Sequence, residues 1–179
     1  MKKIILLLFV CCFFIKSYSQ LYITKTGFIG FYSKTSFEDI KAENNQVYAV
    51  IDAGKKNIAF SLLVKGFLFP KELMQEHFNE NYAETDKYPK ANFIGNFSGD
   101  LNTSKDGMYN VNVKGQLSFH NTTKPVESSA ILEVKAGKIL GQAQFKLKPE
   151  DFNIAIPSVV REKIAKEIMV IVKIECNLK

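Results

Sequence analysis

Strict alternation of apolar and polar side chains is the strongest pattern in the chain. In MYNVNVKGQLSFH, Val111, Val113, Leu117 and Phe119 share one side with Gly115, while Asn110, Asn112, Lys114, Gln116, Ser118 and His120 fall on the other. Successive side chains of a strand point to opposite faces, so this segment predicts a strand buried on one face. KILGQAQFKLK repeats the pattern, with Ile139, Gly141, Ala143, Phe145 and Leu147 against Gln142, Gln144, Lys146 and Lys148. At the C-terminus Ile168, Val170, Val172, Ile174, Cys176 and Leu178 alternate with Lys173, Glu175 and Asn177.

Five further strands are predicted at 27–34, 46–52, 57–69, 91–99 and 127–135. Within 57–69 the apolar face changes: Ile58, Phe60, Leu62 and Val64 share one side, Phe67 and Phe69 the other. Gly66 between them predicts a face-switching bulge. Asp52-Ala53-Gly54-Lys55, Lys105-Asp106-Gly107 and Lys135-Ala136-Gly137-Lys138 place glycine where hairpins reverse. Eight short strands with one apolar face each point to an up-and-down antiparallel barrel or a sandwich.

Two segments break the period of two. In FPKELMQEHFNENY, Met74, Phe78 and Tyr82 recur every four residues behind Pro70, which predicts a helix of about three turns with one apolar stripe. In PSVVREKIAKEI, Val160 and Ile164 share that spacing and predict a shorter helix.

The N-terminus changes the picture. Lys2 and Lys3 precede an unbroken apolar run of 12 residues, Ile4 to Ile15, and Ser17 and Ser19 precede Gln20. A membrane span needs about 20 apolar residues, so residues 1–19 read as a secretory signal peptide cleaved after Ser19. Cys11 and Cys12 lie inside the apolar run and are read as part of it. Residues 20–179 are then one domain, exported to the periplasm or secreted, with no stable membrane span after processing. Processing lowers the formal charge from +6 to +3, since Lys2, Lys3 and Lys16 leave with the signal. That charge, without a dense basic cluster, argues against nucleic acid as a partner. Only Cys176 remains, on an apolar strand face, where it reads as a small buried hydrophobe rather than a disulfide partner or reactive thiol.

Catalytic chemistry is hard to place. His77 lies among Glu76, Glu80 and Glu84, a spacing that fits a solvated helix face better than a metal site, which needs three or four converging ligands. His120 precedes the polar connection Asn121 to Pro125 and reads as a turn residue. There is no serine elbow, phosphate loop or dinucleotide fingerprint. Three sequons occur, at Asn96, Asn102 and Asn121, and two of them lie in polar loops where Asn and Thr are expected anyway. No cofactor is expected.

The phenylalanines say more. Twelve of 15 survive processing, mostly on predicted strands. The interior of an eight-stranded barrel is just wide enough to be filled by side chains or to hold one small ligand. Gly95, Gly115, Gly141 and Ala143, on the faces of Phe93, Val113 and Phe145, favour an open lumen.

One longer pattern is specific. Gly-Phe-x-Phe at 66–69 is followed by Leu73-Met74 and Glu76-His77-Phe78-Asn79, then Asp86-Lys87-Tyr88-Pro89-Lys90-Ala91-Asn92-Phe93. Gly115-Gln116-Leu117, Thr123-Lys124-Pro125-Val126 and Asp151-Phe152-Asn153-Ile154 come later. Together they resemble the YceI-like family of exported lipid-binding proteins over essentially the whole mature chain. The resemblance implies an all-β, eight-stranded, lipocalin-like antiparallel barrel extended by short helices. Characterised relatives hold a long isoprenoid chain in the lumen, without metal or enzymatic activity.

The expected function is therefore transport or storage of one elongated apolar ligand: an isoprenoid, a quinone tail or a fatty acyl chain. The residues expected to face it are Phe60, Leu62, Phe93, Phe97, Val113, Phe119 and Phe145, with Phe67 and Phe69 near the mouth beside the Met74/Phe78 helix. Two rivals differ in kind. A filled barrel acting as a structural or stress-related interaction protein requires no cavity. A lipid enzyme requires His77 or His120 to point inward.

Overall fold

Antiparallel pairing of strands adjacent in sequence accounts for the order of the sheet. The computed structural model describes residues 20–179, so the signal-peptide reading of 1–19 lies outside the described residues. The strands are β1 (Leu21–Lys34), β2 (Asp39–Asp52), β3 (Asn57–Leu63), β4 (Lys90–Ser98), β5 (Gly107–Phe119), β6 (Thr122–Lys135), β7 (Lys138–Leu147) and β8 (Ile168–Leu178). Each pairs antiparallel with its sequence neighbours, and β8 closes on β1 to complete a barrel. Closure leaves no free sheet edge around the ring order.

The tightest turns are built by left-handed residues. Phe119 pairs with Thr122 across His120 and Asn121, whose φ values are 46° and 54°. Lys135 pairs with Lys138 across Ala136 and Gly137, at 50° and 77°. Two consecutive left-handed residues twist a hairpin in the sense that its strands already follow. The Asp106 carboxylate accepts the Ala136 amide at 3.2 Å from each oxygen, holding a non-glycine residue there. Between β2 and β3 the left-handed position falls on Lys56, at 56°, and not on Gly54 as the turn signal suggests.

β1 and β2 are longer than the alternation predicts because both change face halfway. Tyr22 and Thr24 are buried, and after Lys25 and Thr26 the inward parity passes to Gly27 and Ser33. β2 does the same: Ala42 and Asn44 point in, then Val47, Ala49 and Ile51. The pairing register shifts at Thr24/Gly27 and Gly27/Ile29, as bulges require. A strand with a bulge at its middle shows no continuous period of two, so only its cleaner half is visible in sequence.

The predicted 57–69 strand is shorter than expected. It ends at Leu63, and a 3-10 turn at Val64–Gly66 redirects the chain before Phe67. Asn44, 1% exposed, anchors this corner: its Nδ2 donates to the Leu63 carbonyl at 3.0 Å, and its Oδ1 accepts the Gln46 amide at 2.8 Å. A Cβ on Gly66 would lie 2.7 Å from that Nδ2, so glycine serves close approach here. The following helix α1 (Glu72–His77) continues as a π-turn at Phe78–Tyr82, about three turns together, as expected.

The predicted C-terminal helix does not form. Within 149–167 only two 3-10 turns appear, at Pro149–Phe152 and Ser158–Val160, and the rest is an irregular strap linking β7 to β8. Isolated helices below about 12–15 residues are marginal, and this segment finds other partners. The Ala165 amide donates to Ser33 Oγ at 2.8 Å, and the Lys163 amide to the Val160 carbonyl at 2.9 Å.

Candidate ligand cavity

One end of the barrel is packed solid. Tyr22, Ile51, Ile58, Phe97, Val134, Ile139 and Cys176 are all 4% exposed or less and form a continuous apolar core. Burial pushes the Cys176 thiol up to about 12, which keeps it protonated and inert, as its place on an apolar face suggested. The other end is open. A cavity of about 580 Å³ runs from Leu132 and Ile174 up to α1 and the strap, so the lumen is not filled.

Eight of the nine residues expected to face a ligand line this cavity: Phe60, Leu62, Phe67, Phe69, Phe93, Val113, Phe119 and Phe145. Phe97 does not. It is 2% exposed in the closed-end core, because β4 runs downward and reaches the start of β3 there, with Asn96 opposite Asn57. The expected glycine space is also half corrected. Gly141 and Ala143 line the cavity, but Gly95 and Gly115 face each other across β4 and β5 under the Phe93 ring. A Cβ on Gly115 would lie 2.5 Å from the tip of that ring, so those glycines receive Phe93 instead of making room.

At the mouth the rings of Phe31, Phe67, Phe69 and Phe78 cluster. Phe31 lies 5.1 Å from Phe67 and 5.4 Å from Phe78, and Phe69 lies 5.1 Å from Phe78, all tilted. Tilted rings at these separations place ring edges against faces. The group joins β1, the Phe67–Phe69 segment and the end of α1 into one apolar collar. The strap adds Phe152, Ile154, Ile156, Val160 and Ile164. Sequence reasoning missed this strap lining, although Ile154 and Ile156 are spaced two apart, the spacing that marks one face of an extended chain.

Charged side chains that line the cavity come from the rim. Glu38 lies at the β1–β2 turn, Lys71 just before α1, Lys148 after β7 and Lys163 in the strap. Lys71 donates to Glu38 at 2.8 Å, and that bond, with Lys71 and Lys163 charges nearby, holds the Glu38 carboxyl below the usual carboxylate range. His77 is exposed and lines the same rim.

His120 has a different place. Its ring is 8% exposed and does not line the cavity. Nδ1 lies 2.9 Å from the Phe152 carbonyl and Nε2 3.0 Å from Glu84 Oε2. Tyr88 packs edge-on 4.6 Å away. So His120 sits in a turn, as expected, but its ring latches the strap to the β5–β6 hairpin and to the segment after α1. Among the described residues no three His, Cys, Asp or Glu side chains converge as metal ligands would, and no helix is long and apolar enough to cross a membrane.

A family model for the YceI-like domain matches residues 17–176. The chain belongs to the YceI-like domain family. The YceI-like barrel is similar to a polyisoprenoid binding domain from Saccharophagus degradans implicated in plant cell wall breakdown, with a TM-score of 0.76 and 12% identity, covering 90% of this chain and 100% of that one. It is also similar to Burkholderia cenocepacia BcnA, at a TM-score of 0.71 and 13% identity over 84% of this chain and 95% of that one. A Campylobacter jejuni YCEI protein aligns at 0.61 with 17% identity, over 76% of this chain and 83% of that one. At these identities the likeness speaks for the fold. No curated protein matches this YceI-like chain in sequence.

Proposed function

We propose that the mature protein holds one elongated apolar molecule in the barrel, such as an isoprenoid, a quinone tail or a fatty acyl chain, and carries or stores it outside the cytoplasm. The observation that carries this reading is a single-ended cavity of about 580 Å³ with phenylalanine and aliphatic walls. Pockets of roughly 300–1,000 Å³ enclose small-molecule ligands. Burying a methylene contributes roughly 0.8 kcal/mol, so about ten buried carbons offer ~8 kcal/mol before ordering costs. The similar Saccharophagus degradans domain is described as polyisoprenoid binding, which supports the same ligand class.

Binding without turnover fits this site better than lipid enzymology. His120 is committed to Glu84 and Phe152, and His77 stands on the exposed rim. Export rests on residues 1–19, and N-terminal sequencing of protein from the cell exterior or periplasm is expected to begin at Gln20.

Native mass spectrometry of protein purified gently from its own host, followed by organic extraction, tests the carrier reading. A bound species released by solvent is expected. A homogeneous apo mass, with no shift when prenyl or acyl lipids are added, refutes it.

A further inference from the structure

The charges on the cavity wall are unequal. Lys71, Lys148 and Lys163 line it, against one carboxylate, Glu38. Lys71 is already engaged with Glu38 at 2.8 Å. Lys148 and Lys163 have no carboxylate within ion-pair distance among the described residues, whereas the adjacent Lys146, which does not line the cavity, is paired with Glu167 at 3.0 Å. Among the described residues neither lysine is held in an ion pair, so both can turn toward an anion at the mouth.

Their placement matters as much as their number. The four charged side chains come from the β1–β2 turn, the start of α1, the end of β7 and the strap, so they meet only at the mouth. The wall below is built from residues such as Phe60, Phe93, Val113, Phe145, Val172 and Ile174. An apolar tube capped by a positive ring separates two chemistries along one axis, as an amphiphile does.

Resting on the carrier reading above, we propose that the ligand bears an anionic head group, a carboxylate or phosphate, which sits at the rim against Lys148 and Lys163 while its chain fills the lumen. Glu38 occupies part of the same field. Its carboxylate already draws on Lys71 and Lys163, so it competes with the incoming anion for the cations it neutralises. The site thus prefers an acid over a neutral lipid of equal length, and Glu38 limits that preference.

The rim is solvent-exposed, where a single ion pair changes an affinity by about 1.4- to 5-fold. Two lysines acting together give an expected preference of about three- to tenfold. Screening weakens it, because the Debye length falls from about 10 Å at 0.1 M salt to about 3 Å at 1 M.

The test compares palmitate with hexadecanol, two probes with the same number of carbons, by direct binding to delipidated mature protein at pH 8. The readout is the ratio of the two affinities. Palmitate is expected to bind about three- to tenfold tighter at 0.1 M salt, with the ratio approaching one at 1 M. In the double variant Lys148→Gln/Lys163→Gln the ratio is expected to collapse toward one, and in Glu38→Gln to rise about two- to fivefold. Equal wild-type affinities, or a preference that survives the double variant, overturn the head-group assignment and leave the carrier reading standing. Failure of both probes and of prenyl lipids to bind overturns the carrier reading itself. Acetate, which lacks the chain, is expected to give no thermal stabilisation at the palmitate concentration. Stabilisation by acetate equal to that by palmitate would show a free-anion site and overturn the lipid assignment.

Discussion

Replacing His120 by alanine removes the latch that ties the strap to the barrel. The imidazole is 8% exposed and makes two hydrogen bonds, 2.9 Å to the Phe152 carbonyl and 3.0 Å to Glu84. A hydrogen bond to a charged group contributes about 1.5–3 kcal/mol, and a buried acceptor left without its donor costs about 1–3 kcal/mol. Solvent can reach Glu84 and Phe152 once the ring is gone, so the low end of each range applies, and the expected loss is about 2.5 kcal/mol. For a domain of this length that corresponds to a fall in Tm of about 5–10 °C, at roughly 2–4 °C per kcal/mol. Thermal unfolding followed by far-UV circular dichroism measures it, with urea titration as the second reading. A double-mutant cycle with Glu84→Gln separates the latch from general loss of packing. The two substitutions are expected to be non-additive by about 1–2 kcal/mol, because Glu84 loses its His120 partner in either case. A fall below about 3 °C, or strictly additive costs, would refute the reasoning. Because Phe152 lines the mouth, His120→Ala is also expected to speed ligand release.

Four further outcomes follow from the same geometry. Ala143→Phe projects a ring into the cavity, so lipid affinity is expected to fall at least about tenfold while the urea midpoint moves little, since empty space accepts the ring without overpacking; unchanged affinity in a titration would place the ligand elsewhere. Gly115→Ala puts a Cβ 2.5 Å from the Ile94 carbonyl oxygen and 2.5 Å from Phe93 Cζ, and is expected to cost about 1–3 kcal/mol in a denaturation experiment. The Cys176 thiol should react with iodoacetamide only on unfolding; since its folded value is raised from 9.0 to about 12, the unfolded chain loses that proton first, and stability should decline as pH rises between those values. At the acid end, Glu38, Glu43, Glu84 and Glu167 are each held below 4.5, chiefly by hydrogen bonds from Lys71, Lys41, Lys87 and Lys146 respectively. Their contribution is complete above the unfolded value and is lost as pH falls through the lower folded values, so a pH series of urea midpoints should drop below about pH 4.5, and less steeply in Glu84→Gln.

Much of the barrel is legible in the chain because alternation is a local property. β5, β7 and β8 carry a period of two, and each is found with its inward face as assigned, except that Leu178 at the end of β8 is exposed. The first halves of β1 and β2 are not, because a bulge reverses parity and the mouth half of β2 is polar, with Lys41, Glu43 and Asn44. The strap reads as a helix because Val160 and Ile164 have helical spacing. That spacing also lets two side chains of an irregular segment reach one cavity, and the bond from Ala165 to Ser33 decides between them.

By itself, the sequence determined the number of strands, the inward faces of β5 and β7, the three-turn helix, the family and most of the strand phenylalanines that line the cavity. Each of these depends on neighbouring residues or on a motif. The tertiary structure alone decided that the lumen stays open, that Phe93 covers Gly95 and Gly115, that Phe97 belongs to the closed end, and that His120 latches the strap. It also gathered Glu38, Lys71, Lys148 and Lys163, far apart in the chain, around one mouth. Those outcomes depend on which strands meet across the barrel and on how far each side chain reaches, quantities set by closure of the sheet and not by spacing along the chain.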